Sequence, residues 1–381
     1  MQRTNRFRSR RLVALAMMML AGVPPQLGAQ RIIRETHDQW RAARMLTLTP
    51  IRKWCTDADA TGCDFKRPAS VRATPDGGLL ASDITGPLRY FAANGAFVRE
   101  LGRKGQGPGE YGFVVEAHVA RNGMVTWFDN TQMRFATVTL EGKPGPVTRL
   151  MPPQTMANLF VLDSELVIFD VPAAPERGTT VAGVYRTVTE QGASRVLARV
   201  QTPSVFQPGS DMQPVAGPFR PRVVSDVGDA GDVAHSNGTA FDIQVFPASG
   251  APWRLQVDRS PRAVTAAERD SVISAALARY KVANIASLPA PLRDVYERFP
   301  DTHPPLTTVQ VCPDGTMWIR PVAERGATSA RWDVFQRNGA RIGQALLPMS
   351  ARVRDCGSDW VLTDEFNDDE VVTFARYRVG R

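Results

Sequence analysis

Two sets of residues have types and spacings that could do chemistry. The first is Gly102 to Gly112, GRKGQGPGEYG, whose tail Gly107-Pro108-Gly109-Glu110-Tyr111-Gly112 has the G-x-G-x-x-G spacing of a phosphate-cradling loop. Such a loop must lead from a strand into a helix, whose first amides meet the phosphate. Here FVVEAHVA follows and alternates with period two, so a strand comes next and the dinucleotide reading fails on context. The glycines still permit close backbone approach, and Pro108 stiffens the middle. Arg103, Lys104, Gln106 and Glu110 then project from a loop of one shape. That shape reads as a staple, with Glu110 accepting backbone amides or pairing with Arg103, or as a surface that touches a ligand; Arg134 and Arg320 complete the candidate binding set.

The second set is Glu116, His118, His235 and Asp364, a mixed N/O group that could hold a divalent metal such as Ca or Zn for a hydrolase or lyase. No short spacing such as H-x-x-x-H supports it, and satisfied interior histidines need no cofactor at all. There is no G-x-S-x-G, no lone catalytic-type cysteine and no Walker sequence. DEFNDDE, Asp364 to Glu370, reads as a solvated charge run.

The elements that must position these residues are short strands. After Pro68 one unit recurs six times, a tight turn followed by an acid: Gly77 with Asp83, Gly123 with Asp129, Ser164 with Asp170, Gly231 with Asn237, Gly315 without the acid, and Ser358 with Asp364. Where nothing is inserted, successive turns lie 46, 41 and 43 residues apart, and a second turn follows in most copies at Gly95, Gly142, Gly192, Gly250 and Gly339. Strand, turn, strand, loop, strand, turn, strand is one blade of a propeller. The expected fold is all-β, a six-bladed β-propeller of four-stranded blades. The sixth copy runs out of chain after its third strand, so RMLTLTP, Arg44 to Pro50, is expected to supply the fourth and close the ring, stopping at the proline.

Together, DGGLLASD, NGAFVRELG and the Gly102–Gly112 loop resemble the six-bladed β-propeller family of exported bacterial proteins related to NHL repeats, whose first blade is followed by G-R-x-G-x-G-P-G-E. The likeness covers residues 68 to 381 as an architecture and 74 to 112 as a motif. It implies a fold and an extracytoplasmic location, and no particular reaction.

Strand parity sorts the loops. If each blade's inner strand runs downward, both tight turns lie on the lower face, while the loops between second and third strands and the crossings between blades lie on the upper. Val171–Ala182, Thr202–Arg220 and Pro261–Pro305 are then all upper-face insertions. The last is helical: Thr265 and Glu268 form a capping box, with Val272, Ile273, Ala276, Leu277 and Tyr280 on one apolar face, and Pro291 opens a second helix with Leu292, Val295, Tyr296 and Phe299. This pair is expected to act as a partial lid. The recurring acids solve the same local turn in every copy, with Arg89 and Arg134 as partners of Asp83 and Asp129.

Met1–Arg11 holds five arginines and no acid, Leu12–Val23 is apolar, and Leu27-Gly28-Ala29 offers a cleavage site, so residues 1–29 read as a signal peptide that exports the chain to the periplasm or beyond. Five of the eight net positive charges leave with it, so the basic pI is no argument for nucleic acid. No transmembrane segment is expected once the signal is removed. Four cysteines in an exported chain point to two disulfides. Cys312 and Cys356 both end inner strands of neighbouring blades, and Cys55 and Cys63 lie close in sequence, so these are the expected pairs. The organisation is thus 1–29 signal, 30–67 N-terminal segment with the closing strand, and 68–381 propeller with a helical insertion at 261–305. The expected activity is binding of a small molecule, glycan or protein on the lidded upper face by a monomer, without chemistry; the alternative is the metal-assisted enzyme.

Overall fold

The computed structural model describes residues 30–83, 86–149, 156–162, 165–172, 179–188, 195–203, 217–366 and 371–380. The signal-peptide reading falls outside these residues, as do the centres of the two upper insertions after Asp170 and Thr202 and most of the acidic run after Asp364.

Six antiparallel sheets follow one another along the chain. Blade 1 is Pro68–Ala73, Leu79–Asp83, Leu88–Phe91 and Phe97–Leu101, inner to outer; blade 2 is Val114–Val119, Met124–Asp129, Arg134–Thr139 and Pro144–Arg149. Blade 3 comprises Met156–Val161, Leu166–Asp170, Thr180–Val188 and Val196–Pro203; blade 4, Val224–Val227, Val233–Ser236, Asp242–Phe246 and Trp253–Asp258. Blade 5 is Leu306–Val311, Met317–Pro321, Ser329–Phe335 and Arg341–Pro348. In blade 6, Arg352–Cys356, Trp360–Phe366 and Val372–Gly380 are completed from the other end of the chain by Thr47–Trp54. The tight turns carry glycine because their backbone is left-handed: φ is +85° at Gly77 and +81° at Gly315.

The ring closes as expected, with Thr47 opposite Gly380 and Trp54 opposite Phe374. The closing strand does not stop at Pro50, however. It runs on to Trp54 through a register shift between Pro50 and Arg52, tolerated because proline's missing donor costs nothing on an outermost strand. A further element was not expected. Arg31–Thr36 adds in parallel to the outer strand of blade 4, and a short helix, His37–Arg41, then buries Trp40 between blades 4 and 5. Trp40 Nε1 donates to the buried Asp333 carboxylate at 2.7 Å, Glu35 pairs with Arg341 at 2.7 Å, and Leu46 donates its amide to Gln344 O. The first described stretch is therefore a strap across the outer edges of blades 4, 5 and 6.

Six clusters of buried apolar residues hold the ring, one between each pair of neighbouring blades. Between blades 5 and 6, for example, Trp318 and Trp332 meet Val353 and Val361; between 2 and 3, Phe128 and Phe135 meet Leu159 and Ile168. Each blade presents one apolar face to each neighbour, so a lone blade has no core of its own. Both expected disulfides are present, Cys55–Cys63 and Cys312–Cys356, and the second ties the lower ends of two inner strands.

The helical insertion leaves blade 4 where parity places it. Its helices are Ala266–Tyr280, opened by the Thr265–Glu268 capping box, and Ala290–Glu297. His303 anchors its base: Arg262 donates to Nδ1 at 3.1 Å, which leaves Nε2–H to donate to Glu268 at 3.3 Å. Of the expected apolar face, Ala276 is buried and Val272, Ile273 and Leu277 are half-buried, whereas Tyr280 is exposed beneath Arg279. Phe299 lies beyond the second helix and packs on Phe219.

Candidate functional site

The glycine-rich crossing is a staple. Arg103–Lys104 and Glu110–Tyr111 pair as two short parallel strands, Arg103 meets Glu110 at 2.7 Å, and Gly107 N donates to the same carboxylate at 2.8 Å. Arg134, expected as a ligand-binding residue, is buried and spends its guanidinium on the carbonyls of Gln106, Gly107 and Glu110, while Gln132 donates to Gly105 O. Four carbonyls turned inward are the reverse of a phosphate cradle, which needs amides. Arg103, Lys104 and Gln106 stay exposed. Arg320 is likewise used internally, donating to Ala351 O and Met349 O over the face of Trp332.

The recurring acids do local work. Asp83 accepts the amides of Lys66 and Arg67; Asp129 accepts those of Gly112, Phe113, Thr131 and Gln132; Asp170 pairs with Arg186. Arg89 is not Asp83's partner, because Asp64 and Gly62 O, brought close by the Cys55–Cys63 loop, take its guanidinium.

The four residues of the metal reading are not assembled. His235 is buried between the Tyr185 hydroxyl and Asn237, and burial holds its pKa down to about 4. Asp364 is fully buried and paired with Arg352 and Arg354. Only Glu116 and His118 face the central channel. Among the described residues no three His, Cys, Asp or Glu side chains are grouped to hold an ion.

What does converge is a cavity of about 280 Å³ on the channel axis. Every blade contributes: Arg72, Glu116, Val161, Asp226, Gln310 and Asp355 come from the six inner strands in turn. Apart from Glu116, at mid-strand, these residues sit at or toward the downward ends of their strands, and Pro75, Arg121, Asp229 and Pro313 from the adjoining turns form the rim. The cavity thus opens on the lower face, opposite the crossings.

Its electrostatics centre on one guanidinium. Arg72 donates to Glu116 at 2.9 Å and to Arg354 O at 2.7 Å. Burial opposes its charge, but Glu116, Asp355, Asp226 and Asp229 outweigh that and raise its pKa. The acids are held by fixed donors. Asp226 accepts from Val311 N at 2.6 Å and Gln310 Nε2 at 2.8 Å; Asp355 accepts from Ala73 N and Cys356 N, each at 2.8 Å; Asp229 meets His118 Nδ1 at 3.3 Å. Desolvation still dominates, raising Glu116 and Asp355 and pushing Asp226 up to about 7. One wall is aromatic: Trp360 carries Arg376 over its ring, 4.4 Å from the centroid.

Sequence reasoning found Glu116 and His118 but missed Arg72, Asp226, Gln310, Asp355 and Trp360. A signal was present. Arg72, His118, Asp226 and Gln310 each stand five residues before their turn glycine, so alignment of the repeats marks a polar ring. Blade 3 breaks the series with Leu159, and in blade 6 a register shift between Val353 and Asp355 moves the acid two places.

No family model matches the chain, and no curated protein matches it. Solved structures with similar chain traces include a Bacteroides fragilis protein described as exported, at 14% identity over 92% of this chain and 99% of that one, TM-score 0.49. A catalytically inactive virginiamycin B lyase from Staphylococcus aureus follows, at 11% identity over 87% and 98%, TM-score 0.41. The calcium-binding protein regucalcin from Agrobacterium tumefaciens shares 11% over 88% and 96%, TM-score 0.39. The six sheets and the cores between them establish the fold independently of these likenesses.

Proposed function

We propose that the protein is an exported binding propeller of the NHL-like kind, which holds a small polar molecule in the lower mouth of its central channel without transforming it. The observation that carries this reading is the convergence of polar side chains from the inner strands on one cavity at the channel mouth. Its carboxylates are held in place by amides and by Arg72, an arrangement suited to fixed recognition. Two disulfides and the Met1–Ala29 pattern support export, and no helix among the described residues is long and apolar enough to cross a membrane. The loop matching G-R-x-G-x-G-P-G-E supports the NHL-like kinship.

A second reading places a ligand on the upper face beside the helical insertion, which would serve as a lid. It is favoured by two hollows of about 440 and 630 Å³ that share Asp258 and Arg259 at the insertion's base. A thermal-shift screen of small polar metabolites separates the two. Under the channel reading, stabilising compounds lose their effect on Gln310→Trp, which fills the cavity, and keep it on Arg259→Ala. Hits lost on Arg259→Ala and kept on Gln310→Trp would move the site to the upper face.

A further inference from the structure

We propose that the ligand of the channel cavity carries an organic cation, an ammonium or guanidinium group, received by Glu116, Asp226 and Asp229 beside the face of Trp360. This rests on the cavity being the ligand site and adds the charge class of what enters it.

The first ground is charge balance. Arg72 is the cation at the centre, and four carboxylates, on Glu116, Asp226, Asp229 and Asp355, lie within its electrostatic reach. His118 faces Asp229, and the rim cations are Arg121, which is exposed, and Arg376, whose guanidinium lies over Trp360. A partly screened mouth with more acids than buried bases is short of positive charge, and reduced solvent contact strengthens the attraction for a cation. Burial already raises the carboxyls of Glu116, Asp226 and Asp355. A ligand cation among them would favour their charged forms and displace protons.

The second ground is the wall. Trp360 holds the Arg376 guanidinium over its ring, so the wall is an aromatic surface compatible with cationic groups. The third is spacing. Arg72 stands among the carboxylates, which are therefore not grouped to chelate a single ion. A multi-donor organic cation suits acceptors spread around a cavity better than a small metal ion does. The volume, about 280 Å³, is that of roughly nine waters, room for an amine of modest size.

The test is calorimetric titration of the mature protein at pH 7 with agmatine, beside succinate and 1,4-butanediol, in two buffers of different ionisation heat. Agmatine is expected to bind at least tenfold more tightly than either comparator and to release protons. Asp226→Asn should abolish most of that release, and Asp226→Asn and Asp229→Asn should each weaken agmatine at least tenfold. Asp229 is partly exposed at the rim, so its variant guards against a folding failure at Asp226. Succinate or butanediol binding as well as agmatine, and lost on Gln310→Trp, would overturn the cation assignment while leaving the cavity as the site. Agmatine binding unchanged by Gln310→Trp and by both acid variants would overturn it too. Absence of agmatine binding overturns it outright, and the metabolite screen then decides separately whether the cavity binds anything.

Discussion

Replacing Asp226 by asparagine tests the electrostatics of the channel without any ligand. In the folded protein desolvation lifts this carboxyl from 3.8 to about 7, against the amide of Val311 and the charge of Arg72. Unfolded, it returns to its ordinary value. A folded-state pKa above the unfolded one means that the native protein binds the proton more tightly, so stability is fully present below about pH 4 and is lost as pH rises through 7. At about 1.4 kcal/mol per unit, a shift of about three units gives a ceiling near 4 kcal/mol at pH 8. The half-buried position brings the expectation to about 2–4 kcal/mol. Asparagine keeps an oxygen for Val311 N and never ionises. Urea unfolding at pH 4.5, 6, 7 and 8 should therefore show the variant close to wild type at the lowest pH and more stable than wild type by 2–4 kcal/mol at the highest. Parallel curves, or a variant that falls further behind as pH rises, would refute the claim that desolvation governs this cluster.

Three further outcomes follow from the fold. Reduction of Cys312–Cys356, which spans 44 residues, should cost about 4 kcal/mol, and loss of Cys55–Cys63, which spans 8, about 2.5, as read from unfolding of the two cysteine-to-serine pairs. Trp40→Ala should cost about 3–5 kcal/mol in the same assay, because it empties a core position between blades 4 and 5 and strips Asp333 of a donor. Arg134→Ala should cost about 2–3 kcal/mol and admit protease to Gly102–Gly112, where its guanidinium holds the carbonyls; Arg103→Ala, whose pairing is solvent-exposed, should cost under about 1 kcal/mol and leave the crossing resistant.

Much of the architecture was legible because it repeats. A left-handed turn favours glycine, so Gly77, Gly123, Gly231 and Gly315 announced their blades, and the shortfall after Asp364 announced a strand from elsewhere. The disulfide pairs followed from the same map. Arg31–Thr36 was not legible: a parallel edge strand has no hairpin turn to mark it, and RIIRET lacks clean alternation. Trp40 carries no signal of the distant Asp333 it binds. Arg89 went to Asp64 rather than Asp83 because a disulfide loop, invisible to spacing, brought the nearer acid. The cavity was half legible. Glu116 and His118 were singled out for chemistry, yet they were grouped with His235 and Asp364, which belong to second strands and face neighbouring side chains instead of the axis.

The strap gives the ring a direction in which it comes apart. A pull on the amino end meets the parallel pairing on blade 4 first, then Trp40 and the Gln344 contacts on blade 5, and last the eight-residue seam with Val372–Gly380. Each attachment must yield before the next bears load. A force trace from that end should therefore show small early events ahead of the rupture that opens the circle, whereas a pull on the carboxyl end would load the seam from the start.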